Sequence, residues 1–163
     1  NFRAFERSFQ LMTQVAGRSG RRVKRGKVIV QTGDPDHWVI QKVINHDFVS
    51  FYNDEIIERS NFFYPPFYKI IEITLKHRDE NKVIDGASEL ATELRKLFKE
   101  RVLGPESPVV KRIYNQFLKR IIIKIEKDAG DKLVKQRIQD IVDNFYRTPA
   151  NKSIRIIIDV DPA

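Results

Sequence analysis

The chain has 163 residues, 41% hydrophobic and 32% charged, a composition that excludes a disordered polypeptide and suits one ordinary domain or two small ones. Its net charge of +8 favours an anionic partner, nucleic acid first, although a merely basic surface accounts for the charge equally well. Cysteine is absent and His37, His46 and His77 lack metal-ligand spacing, so we predict no metal site. Without a membrane-length apolar run or a signal-peptide pattern, we expect a cytoplasmic protein with no membrane partner.

The first 33 residues predict the edge of an α/β domain. Apolar residues recur at helical spacing between residues 5 and 16, and Gly17 and Gly20 weaken the helix where a run of cations begins. Residues 27–31, Lys-Val-Ile-Val-Gln, are typical of a strand buried in a sheet. One strand cannot complete such a domain, so we expect the chain to be a fragment of a longer protein.

Residues 34–66 predict a helical connector. Asp34 is expected to cap a first helix and Pro35 to open it. A second helix is predicted over residues 47–59. The Tyr-Pro-Pro sequence at residues 64–66 forces an extended backbone and marks a predicted domain boundary.

Residues 67–163 predict a second domain. Apolar periodicity indicates strands over 68–76, 102–105, 117–126 and 153–160, and helices over 79–100 and 131–145. The order strand, helix, strand, strand, helix, strand is the ferredoxin-like arrangement, a four-stranded antiparallel sheet with two helices on one face. The predicted fold class is therefore α/β at the start of the chain and α+β from residue 67 onward.

The most distinctive pattern is at residues 14–21, Gln-Val-Ala-Gly-Arg-Ser-Gly-Arg. Arg18 and Arg21 lie three residues apart, and guanidinium groups at such a spacing suit a specific phosphate contact. For the cations that follow, a contact with DNA phosphates and a solvated loop are equally expected. These cations are Arg22, Lys24, Arg25 and Lys27.

Residues 14–21 resemble motif VI of the superfamily 2 helicases. Further matching sequences occur at Tyr-Pro-Pro-Phe (64–67), Leu-Gly-Pro (103–105) and Ile-Asp-Val-Asp-Pro (158–162). Together they make the chain similar to the C-terminal part of the PriA family, the bacterial primosomal replication-restart helicases. The resemblance implies that residues 1–33 are the C-terminal edge of a RecA-like second lobe, followed by the connector and the ferredoxin-like domain.

The resemblance also implies an ATP-dependent 3′–5′ DNA helicase that restarts replication and assembles the primosome, with ATP and Mg²⁺ bound between two lobes. Arg18 and Arg21 would be the catalytic cations, Arg21 as arginine finger, because a permanently charged planar guanidinium can bridge phosphoryl oxygens. Gln14 and Gly17 would complete the phosphate contact. The family's nucleotide-binding loop, acidic metal motif and cysteine-bound zinc element are absent, so the fragment alone is expected to be inactive and to hold no zinc.

The partners implied by the resemblance are forked or single-stranded DNA, the single-stranded DNA-binding protein and other primosome proteins. Lys119 and Arg120 are candidate DNA contacts on the long strand. Lys132, Lys135 and Gln136 are candidate contacts for the acidic tail of the single-stranded DNA-binding protein, against the alternative of a solvated helix face.

The competing interpretation is a stand-alone, non-enzymatic nucleic-acid-binding domain with the ferredoxin-like fold. Such domains bind single strands through exposed aromatic residues on their central strands. The corresponding strands here are mostly isoleucine, which weakens that interpretation.

Overall fold

The computed structural model describes residues 2–19, 26–127 and 130–162. The chain divides into two compact units, Asn1–Phe62 and Phe63–Ala163, hereafter the first and second units. The fold combines helices with an antiparallel sheet and belongs to the α+β class. Among the described residues, no helix has both the length and the apolar character that a membrane span requires.

The first unit contains three helices, α1 (Ala4–Arg18), α2 (Trp38–Ile44) and α3 (Phe48–Asn61). Its core is aromatic: the rings of Phe9 and Phe51 stack with centroids 4.2 Å apart, and Trp38 stacks on Phe51 at 5.6 Å. The apolar face predicted for α1 is thereby covered by the other two helices. The polar face of α1 is exposed, and it carries the motif residues Gln14, Gly17 and Arg18.

Two predictions for the first unit are wrong. Residues 27–31 form no strand, and Ile29 is 91% exposed, because a strand needs a neighbour and no described strand pairs with this segment. The helix α2 begins at Trp38 rather than Pro35. His37 caps it, because its Nδ1 accepts the Val39 N–H at 3.3 Å, while the Asp34 N–H is held by the Thr32 hydroxyl.

The second unit contains a sheet and two helices whose order agrees with the prediction. The strands are β1 (Tyr68–His77), β2 (Val102–Glu106), β3 (Arg112–Ile113), β4 (Gln116–Glu126) and β5 (Arg155–Val160), and the helices are α4 (Glu80–Phe98) and α5 (Asp131–Arg147). Single turns of 3-10 helix follow α4 and precede β5. The strand order is β2-β4-β1-β5 with antiparallel pairing, and the short β3, which the sequence did not predict, pairs with β4.

The core of the second unit is almost entirely aliphatic. On the central strands Ile73 lies opposite Ile121 and Ile71 opposite Ile123, so one face of β1 and β4 is a continuous apolar surface. Leu90 and Leu94 of α4 are fully buried against it. Each such side chain contributes about 1.5–3 kcal/mol through its burial.

Candidate functional site

The last two turns of α1 carry the predicted phosphate ligands that the structure describes. Gln14, Gly17 and Arg18 are all exposed, and their i, i+3, i+4 spacing places them on one face of the helix. The helix includes Gly17 and ends at Arg18, between the two glycines where the sequence predicts it to weaken. A Cβ placed on Gly17 would meet no described atom within 4 Å, so packing does not require a glycine there.

The other predicted phosphate and DNA contacts of the basic run are Arg21, Arg22, Lys24, Arg25 and Lys27. Arg21, Arg22, Lys24 and Arg25 lie outside the described residues. Lys27 is described, and it is exposed in the segment that forms no strand. The structure therefore brings together Gln14, Gly17 and Arg18, and it leaves the assignments of the other cations as predictions.

An ion-pair network ties α1 to α3 near the N-terminal end of α1. The guanidinium of Arg59 donates to the Glu6 carboxylate at 2.9 Å and to the Glu55 carboxylate at 3.3 Å. Glu55 is 6% exposed, and its burial raises its pKa above the usual range, although the hydrogen bond from Arg59 opposes that rise. The network orients α1 and hence the exposed cationic face.

Sequence reasoning missed this network. The spacing of Glu55 and Arg59 by four residues was a visible signal for an intrahelical pair. The partner Glu6 lies 53 residues away along the chain, and no local pattern connects it to Arg59.

The two candidate DNA contacts on β4 have different surroundings. Arg120 donates from Nε to the Glu106 carboxylate at 3.1 Å and from a terminal nitrogen to Glu72 at 3.5 Å. The hydrogen bond to Glu106 raises the pKa of Arg120, although burial opposes it. Lys119 donates to the hydroxyl of Ser107 at 3.0 Å. Because consecutive strand residues point to opposite faces, the two cations do not form one patch.

The candidate partner-binding residues lie on the first turns of α5, where Lys132, Lys135 and Gln136 are exposed. Lys135 lines a cavity of about 180 Å³ together with Asp161 and with Lys69, a residue that sequence reasoning did not select. The apolar part of the wall comes from Ile71, Ile125, Val134 and Val160. Lys132 and Gln136 are not part of this lining, and Gln136 donates to Asp140 at 2.9 Å instead.

The described parts of the two units show no set of zinc ligands. The sequence has no cysteine, and the described residues contain no cluster of three or more His, Asp or Glu side chains that could hold a metal ion.

These observations define a class of structure: an α+β unit with an antiparallel sheet, preceded by a helical segment that exposes Arg18 at the end of α1. A family model described as the primosomal protein N C-terminal domain matches residues 60–163. Because that match covers more than half of the chain, the chain belongs to the PriA family.

Curated relatives agree with this assignment. The chain is 32% identical over 164 residues to the replication restart protein PriA of Bacillus subtilis and 35% identical over 165 residues to that of Treponema pallidum. Each alignment covers 99% of the chain but only 20% and 24% of the relative. The chain thus spans about a fifth to a quarter of the length of these relatives.

Proposed function

We propose that this chain acts in replication restart as the C-terminal part of an ATP-dependent 3′–5′ DNA helicase. The names of its relatives support the role in restart, and the motif at residues 14–21 supports the helicase. The observation that carries the proposal is the exposed cation at the end of α1. Arg18 stands on a helix that is anchored by stacked rings and an ion-pair network, and it has no described carboxylate partner within 4 Å.

In this proposal Arg18 and Arg21 face the phosphates of ATP bound with Mg²⁺ by the preceding parts of the helicase. The charge of the transferred phosphoryl group spreads over its oxygens during transfer, and a guanidinium stabilises that charge without any proton moving. Gly17 has open space around it, which suits close approach of a nucleotide to the helix backbone. Gln14 lies one turn earlier on the same face, where its amide can donate to the phosphates.

The experiment is steady-state ATP hydrolysis by the parent protein in the presence of DNA. Arg21→Ala and Arg18→Ala should each lower turnover, with about 10³-fold or more lost for the finger residue Arg21, while DNA affinity stays nearly unchanged. Gln10→Ala is a matched control, because Gln10 is also exposed on α1 but hydrogen bonds to Glu6. Unchanged turnover in both arginine variants would refute the assignment.

We propose that the second unit is a ferredoxin-like domain that holds DNA and partner proteins. Its strand order, read without the short β3, is second-third-first-fourth, and all its pairings are antiparallel, which supports that class. A stand-alone binding domain is the competing function. A parent reading frame without an upstream nucleotide-binding loop would establish that alternative and refute the helicase.

We also propose that the cavity beside α5 receives the acidic, hydrophobic-ended tail of the single-stranded DNA-binding protein. Lys69 and Lys135 would attract the carboxylates, and the apolar wall would receive the hydrophobic end. In peptide-binding measurements Lys135→Glu should weaken the affinity about tenfold or more, because it reverses a charge at the rim. Lys152→Glu, a charge reversal outside this cavity, is the control; equal losses in both variants would mean diffuse attraction only.

A further inference from the structure

The hairpin formed by β3 and the start of β4, residues 112–117, ends in a turn that carries an unexplained tyrosine. Arg112 pairs with Phe117 and Ile113 with Gln116, leaving Tyr114 and Asn115 as a two-residue turn. Their φ angles are 46° and 63°, in the left-handed region that such tight turns require and that glycine and asparagine prefer. A bulky residue is disfavoured there. Tyr114 is nevertheless present, and its side chain is 97% exposed.

Neither packing nor turn preference therefore accounts for Tyr114. The turn itself is well held: Arg112 lies over the ring of Phe117 at 4.9 Å and also donates to the side-chain carbonyl of Asn115. The Leu118 N–H donates to the Lys111 carbonyl at 3.0 Å, which fixes the segment that leads into the hairpin. The structure thus presents an aromatic ring to solvent from a constrained backbone, an arrangement that reduces the entropy lost when a ligand binds the ring.

The charged residues near the hairpin indicate which kind of ligand it binds. Residues 107–119 contain three cations and no acidic residue; the cations are Lys111, Arg112 and Lys119. Arg120 is neutralised by Glu72 and Glu106, but Lys111 is exposed immediately before the hairpin. An exposed ring beside exposed cations is what binding of unpaired nucleotides requires, since bases stack on the ring and phosphates contact the cations.

We propose that this hairpin is a contact for unpaired nucleotides, with the ring of Tyr114 stacked on a base and Lys111 against a neighbouring phosphate. The inference rests on the proposed DNA role of the second unit and specifies where in that unit a single strand is bound. It differs from the central-strand recognition common to sheets of this type, because the aromatic side chain lies at the tip of a hairpin and not on the sheet face. The exposed pair Val109 and Val110 is the feature that a protein partner would use instead.

The test uses the 163-residue chain and a fluorescein-labelled fork with single-stranded arms, measured by fluorescence anisotropy. Tyr114→Ala should weaken binding about fivefold or more, as expected for loss of base stacking, and Tyr114→Phe should retain wild-type affinity because stacking needs only the ring. Lys111→Ala should lower the slope of log affinity against log salt by about one, whereas Tyr114→Ala should leave that slope unchanged. A 2-aminopurine in the arm should be quenched by the wild-type chain and much less by Tyr114→Ala.

Asn115→Gly is the control, because glycine keeps the positive φ of this turn position while the Asn115 side chain and its hydrogen bond from Arg112 are lost. If the wild-type chain binds no fork even at low salt, the DNA role of the second unit fails together with this inference. If the wild-type chain binds and Tyr114→Ala binds equally with equal quenching, only the hairpin assignment is overturned, and the exposed loop is then assigned to a protein partner.

Discussion

The two units of this chain differ in how many apolar residues each of them buries in its own core. In the part of the chain that the structure describes, the second unit buries sixteen residues in one cluster, whereas the first unit buries only Phe9, Val39 and Phe51 in its core. The first unit also leaves large apolar side chains exposed, including Leu11, Val15, Phe48 and Tyr52. The comparison indicates that the sheet unit has a large core of its own, while the described helical unit depends on a few aromatic contacts and four ion pairs.

The largest expected effect concerns the stacked rings of the first unit. Phe9→Ala removes a buried ring and should cost about 3–5 kcal/mol, comparable with the whole stability of a small unit. Trp38 is the only tryptophan and packs in this core, so its fluorescence reports unfolding of the first unit alone. We expect Phe9→Ala to abolish the Trp38 transition while amide protons of β1 and β4 keep their protection from exchange.

The corresponding truncation of a core residue is made in the second unit. Leu94→Ala should cost about 2–5 kcal/mol but leave the unit folded, because the remaining aliphatic cluster is large. Loss of protection in β1 and β4 on Phe9→Ala, or loss of the Trp38 transition on Leu94→Ala, would show that the two units do not unfold separately.

A smaller effect concerns two carboxylates of the first unit whose pKa values shift in opposite directions. The hydrogen bond from Ser50 lowers the pKa of Asp47, so its contribution to stability is present above the unfolded pKa and is lost as pH falls through the folded value. Burial raises the pKa of Glu55, so its contribution is present below the unfolded pKa and is lost as pH rises through the folded value.

Denaturant unfolding followed by Trp38 fluorescence near pH 2.5 and pH 7 separates these two contributions. Asp47→Asn should destabilise more at pH 7 than at pH 2.5, because the wild-type carboxylate is ionised at pH 7 and accepts the Ser50 N–H, whereas it becomes protonated only below its ordinary pKa of 3.8. Glu55→Gln should become more stable relative to wild type as pH rises, because it avoids the cost of a buried charge. If the free energy of unfolding, taken relative to wild type, changed with pH in the same direction in both variants, the opposite electrostatic environments described for these residues would be contradicted.

The sequence predicted the second unit better than the first for a physical reason. Two of its strands are long, buried and unburied residues alternate over residues 121–125, and its helices carry apolar faces. The two-residue β3 is too short to produce any periodicity, so the hairpin that presents Tyr114 could not be predicted. In the first unit, residues 27–31 have strand composition, but composition alone supplies no neighbouring strand.

The candidate site was predictable where it depends on local spacing and not where it depends on tertiary contacts. The common face of Gln14, Gly17 and Arg18 follows directly from helical periodicity. The anchoring of that helix by Arg59, and the meeting of Lys69 with Lys135 at one cavity, join positions more than 50 residues apart. Such contacts depend on how the helices and strands pack, which no local pattern encodes.

We propose that the first unit contributes to ATP turnover and that the second unit binds DNA. The most direct test measures ATP turnover and fork affinity for Arg18→Ala and Tyr114→Ala in the parent protein, with turnover taken at saturating DNA. The account predicts that Arg18→Ala loses turnover and keeps fork affinity, whereas Tyr114→Ala loses fork affinity about fivefold or more and keeps turnover. A variant that lowers both quantities together, or Arg18→Ala with full turnover, would contradict this proposal.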